Sequence, residues 1–307
     1  MLLFPLLACG QDAEEEHAIE KDKEKSASSM FGPPELKGTV GNDLLSEVSG
    51  MAASEFYPDA LWIHNDSGND PLLFLISESG TTLATFLLEN IDNRDWEDMA
   101  IGPGPEAGQT YLYLADIGDN LRLHREKIIY RFPEPELSLT EGQLLEDTIR
   151  NVEAIRFVYP DGRMDAETLL LDPLSGDLLV LSKNLDGSGI YRLPQEKINT
   201  DEVVELEKVG ELEVKPKNMF DLVTGGDVSA DGLEVLVKSY QQVYFWKRDD
   251  DTTPLGELLQ SQPDTLTYEP EPQGEAIAFD GENEGYFTLS EKRFGVVPAL
   301  YFYPRLP

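Results

Sequence analysis

The chain of 307 residues contains a single cysteine, Cys9, so no disulfide can form within it. Histidine is almost as rare, and its three scattered residues exclude the cysteine and histidine ligand sets typical of zinc sites. No segment approaches the roughly 18 apolar residues of a membrane-spanning helix. The sequence also lacks the nucleophile-elbow pattern G-x-S-x-G and the phosphate-loop pattern G-x-x-x-x-G-K-S/T.

Basic residues are also few. The chain has 24 Lys and Arg against 59 Asp and Glu, which gives a net charge of −35. A surface this negative repels nucleic-acid phosphates, so we expect no nucleic-acid partner, and charge alone disfavours docking on anionic lipid. Cations, basic proteins and neutral ligands are the favoured partners.

Helical periodicity is scarce as well, and EGQLLEDTI from Glu141 is the best candidate for a helix. Most apolar segments are short, rich in β-branched, aromatic and leucine residues, and bounded by Gly, Pro, Asn and Asp. The 40% of hydrophobic residues suffices for a packed core. The sequence therefore predicts an all-β fold.

One short pattern, an acid near small or apolar residues, occurs five times. The copies are SEVSGMA from Ser46, RDWEDMA from Arg94, MDAETLL from Met164, VTGGDVS from Val223 and PQGEAIA from Pro272. Their acids, Glu47, Glu97, Glu167, Asp227 and Glu275, are 50, 70, 60 and 48 residues apart. Two or three further strand-like segments follow each copy, which is typical of a β-propeller with four-stranded blades. We expect Trp96 to pack between blades.

The count of repeats predicts five blades, although the length also permits six. The fifth repeat ends after its third strand, and ELKGTV, residues 35–40, can supply the fourth. A ring closed by strands from both ends of the chain has no open seam. We therefore expect the propeller to span residues 35–307.

In such a blade the innermost strand begins, and the second strand ends, at the same rim of the central channel. The five repeated acids are thus expected near the axis, where we predict that Glu47, Glu97, Glu167, Asp227 and Glu275 bind a metal. The ends of the second strands add candidate ligand-binding residues, which are Asn65, Asp66, Asp119, Asn120, Lys183 and Lys238. Glu97, Asp116 and His64 are the candidate catalytic groups.

Calcium is the predicted metal, because hard cations prefer carboxylate, amide and backbone oxygens. The twelve-residue EF-hand loop is absent, so the site would be built from separate strands. The alternative is structural: Asp, Asn and Gly form turns by capping their own backbone, and a rim glutamate can hydrogen-bond a neighbouring blade.

The first ten residues, MLLFPLLACG, place the only cysteine at the end of a short apolar run, as in a bacterial lipobox. We expect residues 1–9 to be a lipoprotein signal ending at a lipidated Cys9, and the polar residues 10–34 to be a disordered acidic tether. No basic residue precedes the apolar run, so we expect the translation start to lie upstream. The predicted location is the cell envelope, on the periplasmic side of the outer membrane or at the cell surface.

Together, LSEVSGMAAS, LWIHNDSGN, RDWEDMA, LYLADIGDN, DAETLLLDP, SGDLLVLSK, GGDVSADG and GEAIAFD resemble a family of exported bacterial β-propeller proteins and lipoproteins, over nearly all of the chain after residue 40. More distantly, the rim acids are similar to those of calcium-dependent propeller hydrolases of the gluconolactonase, phytase and esterase kinds. That resemblance implies roles for Glu47, Glu97, Asn65 and Asp116 in holding calcium, which polarises the substrate. Five-bladed glycosidases of the arabinanase kind also use channel carboxylates, as acid and base.

Two classes of function follow. The first is a lipid-anchored, calcium-binding propeller that presents its rim to a small-molecule or protein ligand, is a monomer, and meets the membrane only through its anchor. The second is a metal-dependent hydrolase of a phosphoester, a lactone or a glycan. A near-symmetric set of acids favours the first class, whereas one divergent blade would favour the second, and blade two is the most divergent.

Overall fold

The computed structural model describes residues 30–140, 142–200, 202–293 and 295–307, which form five antiparallel blades around a central axis. Blade 1 consists of β2 (Val48–Ala53), β3 (Ala60–Asn65), β4 (Leu72–Ser77) and β5 (Thr82–Leu88). Blade 2 consists of β6 (Trp96–Pro103), β7 (Thr110–Asp116), β8 (Glu126–Pro133) and β10 (Glu153–Val158). Blade 3 consists of β11 (Ala166–Leu171), β12 (Leu178–Ser182), β13 (Gly189–Leu193) and β15 (Glu207–Glu211). Blade 4 consists of β16 (Val223–Val228), β17 (Glu234–Ser239), β18 (Val243–Lys247) and β19 (Asp264–Leu266).

Blade 5 closes the ring with strands from both ends of the described chain. Its strands are β20 (Gly274–Phe279), β21 (Gly285–Ser290), β22 (Ala299–Pro304) and β1 (Glu35–Thr39), and β1 pairs antiparallel with β22. The predicted five-bladed propeller and its closing strand are therefore confirmed. Residues 30–34, assigned to the tether from the sequence, pack on this blade: Phe31 is buried with its ring centroid 5.0 Å from that of Tyr286. Residues 1–29, with Cys9, lie outside the described residues.

Two additional strands extend blades on the outside of the ring. β9 (Leu145–Ile149) pairs parallel with β5 of blade 1, and β14 (Val204–Glu205) pairs parallel with β10 of blade 2. The helix predicted from Glu141 is therefore wrong, because Leu145 and Ile149 pack against the core between blades 1 and 2 as parts of a strand. Such a short apolar segment can form either a helix or a strand. Here it forms a strand because it pairs with β5, the outer strand of blade 1.

Helices are minor elements among the described residues. They comprise α1 (Gln195–Ile198), α2 (Leu255–Leu258) and a 3₁₀ turn at Met219–Asp221. None of the helices among these residues is of a length and hydropathy that would allow it to traverse a bilayer.

The hydrophobic core is divided among the five interfaces between neighbouring blades. Trp62 and Trp96 lie between blades 1 and 2 and are fully buried, as predicted for Trp96. The second strands are buried along nearly their whole length, as β12 with its sequence LLVLS illustrates, because each blade packs face to face with both neighbours. This packing fixes the innermost strands, and with them the rim of the channel.

Candidate functional site

Each innermost strand contains a β-bulge at the same position, close to its first residue. In β6 the pairing with β7 shifts between Trp96 and Asp98, which leaves Glu97 as the extra residue. The corresponding residues of the five blades are Ser49, Glu97, Glu167, Thr224 and Glu275. A bulge redirects a side chain out of the ladder, and it is common beside functional sites. Three of the five rim positions are therefore glutamates.

The structure places the other two predicted metal ligands elsewhere. Glu47 precedes β2, is exposed, and accepts a hydrogen bond from Nδ2 of Asn69 at 2.8 Å. Asp227 lies three residues beyond the bulge, where its carboxylate accepts backbone hydrogen bonds from Val228 and Phe279, both at 2.8 Å. Neither residue occupies the position of Glu97 in its own blade.

A different set of carboxylates converges around Glu97. Oxygen atoms of Asp66, Asp95 and Glu97 all lie within 4.8 Å of one another. Asn93 joins the two loops involved, because its Nδ2 donates to the backbone oxygen of Asp66 at 2.7 Å while its Oδ1 accepts from the backbone N–H of Trp96 at 3.2 Å. We call Asp66, Asp95 and Glu97 the carboxylate triad.

Glu97 is the most enclosed member of the carboxylate triad. Its side chain is 3% exposed, and no hydrogen bond from the described residues reaches its carboxylate. Burial raises the pKa of Glu97 well above its usual range, and the negative charges of Glu167 and Asp66 raise it further. Burial also raises the pKa of Asp95, and it raises that of Asp66 to about 6.

The backbone of Gly118 closes one side of the triad. A Cβ atom at this position would lie 2.0 Å from Oε1 of Glu97 and 2.6 Å from the carboxylate of Asp95. Only glycine allows the loop after β7 to approach the two acids so closely.

A pocket of about 520 Å³ opens beside the carboxylate triad at the rim. Asp66 and Glu97 form part of its acidic wall, and Leu185, Met219 and Leu222 contribute an apolar wall. The remaining lining residues are polar or charged, and they are Asn120, Arg122, Asp165, Glu167, Lys183, Asn184, Tyr240, Gln273, Glu275 and Arg293.

A chain of polar contacts crosses the pocket from blade 3 to blade 5. The ammonium of Lys183 donates to Oε1 of Glu167 and, at 3.2 Å, to the hydroxyl of Tyr240. That hydroxyl donates to Oε1 of Glu275 at 3.1 Å. Burial alone would lower the pKa of Lys183, but the carboxylate of Glu167 outweighs this effect and raises it.

The end of β7 and the loop that follows it contain three predicted residues, each with different contacts. Asp116 is buried and forms an ion pair with Arg94 at 2.9 Å. Asp119 accepts backbone hydrogen bonds from Leu123 at 2.6 Å and His124 at 2.7 Å, and so shapes its own loop. Asn120 is exposed and lines the pocket.

Asn65, His64 and Lys238 do not line the pocket. The amide of Asn65 is occupied by backbone groups of Glu47 and Leu44, at 3.2 and 2.6 Å. His64 is fully buried against Trp96, and burial lowers its pKa to about 4. Lys238 is fully buried as well and donates to the backbone oxygen of Gly274 at 2.5 Å.

Asp95 of the carboxylate triad and Tyr240 of the pocket wall are two residues that the sequence did not single out. Asp95 lies in the turn before β6, and the bulge at Glu97 breaks the period of two, so no strand pattern places the two acids together. Tyr240 directly follows β17, the second strand of blade 4. The other candidate ligand-binding residues were chosen because they lie at the ends of second strands, and the same reasoning would have included Tyr240.

No protein-family model and no curated protein matches the chain. Among solved structures, a luciferin-regenerating enzyme shares 11% identity over 89% of this chain and 95% of its own, with a TM-score of 0.46. A gluconolactonase from Xanthomonas campestris shares 14% identity over the same fractions, with a TM-score of 0.45. A nidogen–laminin complex shares 11% identity over 80% of this chain and 73% of its own, with a TM-score of 0.41. At these identities and scores, the likeness says nothing about the reaction or ligand of this chain.

Proposed function

We propose that the chain is a calcium-binding propeller of the cell envelope whose rim pocket presents the bound cation to a ligand or protein partner. The observation that carries the proposal is that Glu97, a residue only 3% exposed whose carboxylate accepts no hydrogen bond from the described residues, lies beside Asp66 and Asp95. Two unit charges at such a distance repel by roughly 3–4 kcal/mol at an effective dielectric constant of 20. A divalent cation removes that repulsion.

The donor set of the carboxylate triad fits calcium. All three donors are carboxylate oxygens, and calcium takes six to eight oxygen ligands at about 2.3–2.6 Å, so opposite ligands lie about 5 Å apart. The oxygens of the triad, within 4.8 Å of one another, span such an ion. The polar pocket leaves room for waters or for ligand oxygens to complete the coordination.

Titration calorimetry of the demetallated protein with calcium chloride tests the proposal. We expect one binding event in the wild type and roughly tenfold or greater weakening in Asp95→Asn and Glu97→Gln, because affinity follows the charge of the ligand set. Glu47→Gln is the matched control, since it removes an exposed rim carboxylate outside the triad. Absence of calcium binding, or equal loss in all three variants, would overturn the proposal.

The envelope location rests on Cys9, the only cysteine, at the end of an apolar run. We expect full-length protein made in a bacterial host to fractionate with membranes and to take up a clickable fatty acid. Cys9→Ser should abolish both, whereas Ser26→Ala, in the same polar segment, should change neither.

A metal-dependent hydrolase of a phosphoester, a lactone or a glycan is a second candidate. The polar chain from Glu167 through Lys183 and Tyr240 to Glu275 favours it, because it places proton-carrying groups along a pocket large enough for a small substrate. Calcium bound to the triad would polarise a substrate oxygen. Screening ester, lactone and glycoside substrates with wild type, Glu97→Gln and Tyr240→Phe would separate this candidate from a binding protein.

A further inference from the structure

Half of the twelve exposed Lys and Arg among the described residues lie in three loops at one rim of the propeller. Three rim loops, residues 117–125, 212–222 and 291–298, contain six exposed Lys and Arg among their described residues, and they are Arg122, Arg125, Lys215, Lys217, Lys292 and Arg293. The only exposed acid among the described residues of these loops is Glu213. In the whole chain acids outnumber bases by 59 to 24, whereas these loops expose more bases than acids. Three of the bases pair with carboxylates, which are Lys215 with Glu211 at 2.8 Å, Lys292 with Asp43 at 3.4 Å and Arg293 with Glu291 at 3.1 Å. Arg122, Arg125 and Lys217 form no ion pair among the described residues.

The same three loops expose large apolar side chains. The pairs are Leu121 and Leu123 at 78% and 60% exposure, Met219 and Phe220 at 68% and 60%, and Val296 and Val297 at 50% and 44%. We call these three loops the prongs. A soluble surface seldom groups apolar side chains in this way unless they meet a partner or a lipid surface.

Two of the prongs are held in shape by their own hydrogen bonds. Asp119 accepts the backbone N–H groups of Leu123 and His124 in the first. In the second, Asn218 and Asp221 cap the 3₁₀ turn reciprocally, so Met219 and Phe220 are presented by a defined structure.

The prongs surround one opening. Arg122, Met219 and Arg293, one residue from each prong, line the same rim pocket. The prongs belong to blade 2, to the connection between blades 3 and 4, and to blade 5, and are thus spread around the ring. Three such contacts at one end of a ring define a plane, and the recessed pocket lies between them.

We propose that the prongs dock this face of the propeller on a lipid surface that carries anionic phosphate headgroups. The apolar pairs enter the interface while the neighbouring Lys and Arg side chains pair with phosphates, which is the combination found in interfacial membrane segments. The net charge of −35 does not prevent this contact, because charges farther away than about 8 Å are screened at physiological ionic strength. The acids of the other rim loops, such as Asp70 and Asp186, lie between the prongs.

A lipid plane suits this arrangement better than a single acidic protein. A protein partner would gain most from filling the central pocket, whereas the exposed side chains of Leu121, Leu123, Phe220, Val296 and Val297 lie outside the pocket lining. The proposal does not depend on the carboxylate triad.

Vesicle flotation of the full chain with Cys9→Ser, which removes any acyl group, tests the proposal. We expect binding to phosphatidylcholine vesicles that contain phosphatidylglycerol and weak binding to pure phosphatidylcholine. Adding Leu121→Ser with Leu123→Ser, or Arg125→Glu with Lys217→Glu, all outside the pocket lining, should weaken binding roughly tenfold. Phe56→Ser is the control, because Phe56 is 41% exposed in the β2–β3 turn at the opposite end of blade 1.

Three outcomes would overturn the proposal: no binding to anionic vesicles, equal binding to both kinds of vesicle, or equal weakening by Phe56→Ser and the prong variants. Full competition by soluble polyglutamate would assign the prongs to an acidic protein instead. Circular dichroism of each variant excludes unfolding as the cause. We expect the same variants to bind calcium as the wild type does. The vesicle experiment can therefore disprove lipid docking without disproving the calcium site, and the calcium titration can do the reverse.

Discussion

The carboxylate of Asp98 accepts a hydrogen bond at 3.2 Å from the backbone N–H of Gly226, which is 128 positions away in the sequence. The same oxygen accepts the N–H of Leu169 at 2.9 Å, and the other oxygen accepts that of Met99 at 2.9 Å. One buried side chain therefore joins the innermost strands of blades 2, 3 and 4 across the axis.

Replacing Asp98 by alanine is expected to destabilise the propeller by roughly 2–5 kcal/mol, because two or three buried N–H groups lose their acceptor. Urea unfolding followed by fluorescence measures the loss. Asp186→Ala, an exposed rim acid, should change stability by less than about 0.5 kcal/mol. Equal effects of the two substitutions would contradict the role of Asp98 as a link between blades.

The fold was predictable because its evidence is repeated. Five copies of one pattern set the number of blades, and residues 35–40 supplied the missing strand of blade 5. The segment from Leu145 to Ile149 was mistaken for a helix because its strand pairs in parallel with β5, some sixty residues earlier in the chain. The residues of that segment alone do not indicate a pairing with a strand so far away in the sequence.

The site was predictable only in part, because a bulge breaks the period of two that sequence reasoning relies on. Aligning the repeats by their acids selected Glu97, Glu167 and Glu275 correctly as equivalent positions, but shifted Glu47 and Asp227 by two and three residues. The equivalent residues are Ser49 and Thr224, which carry no charge. Asp95 joins the triad only through the turn before β6.

Gly118→Ala should weaken calcium binding roughly tenfold or more with little change in fold. The new methyl group would lie 2.0 Å from Oε1 of Glu97, so the carboxylates of the triad must move apart. Gly41→Ala is the matched control, since a Cβ there meets nothing within 4 Å. Calorimetry with calcium measures both variants, and unchanged affinity in Gly118→Ala would place the cation elsewhere.

Lys183→Met should cost about 3–5 kcal/mol of stability, because it leaves the carboxylate of Glu167 buried without its cation. Adding Glu167→Gln should recover much of the loss, since the amide carries no charge. The four proteins form a double-mutant cycle that is read by urea unfolding. Simple additivity of the two substitutions would show that Lys183 and Glu167 do not stabilise each other.

The stability of the folded protein should depend on Lys238 in the alkaline range. Burial lowers the pKa of Lys238 to about 8, and the nearby carboxylates of Glu271 and Glu275 offset this only in part. An unfolded lysine has a pKa of about 10.4. Between these two values the unfolded chain keeps a proton that the folded protein has released, so the contribution of this group to stability rises with pH.

The rise should amount to about 3 kcal/mol between pH 8 and pH 10.5, with no further change from this group below or above that window. Because tyrosines also titrate there, the quantity to measure is the difference in unfolding free energy between the wild type and Lys238→Met at each pH. We expect the wild type to become more stable relative to Lys238→Met as the pH increases. Lys247→Met, at a largely exposed lysine, should keep a constant difference, and parallel curves for Lys238→Met would mean that Lys238 is not desolvated.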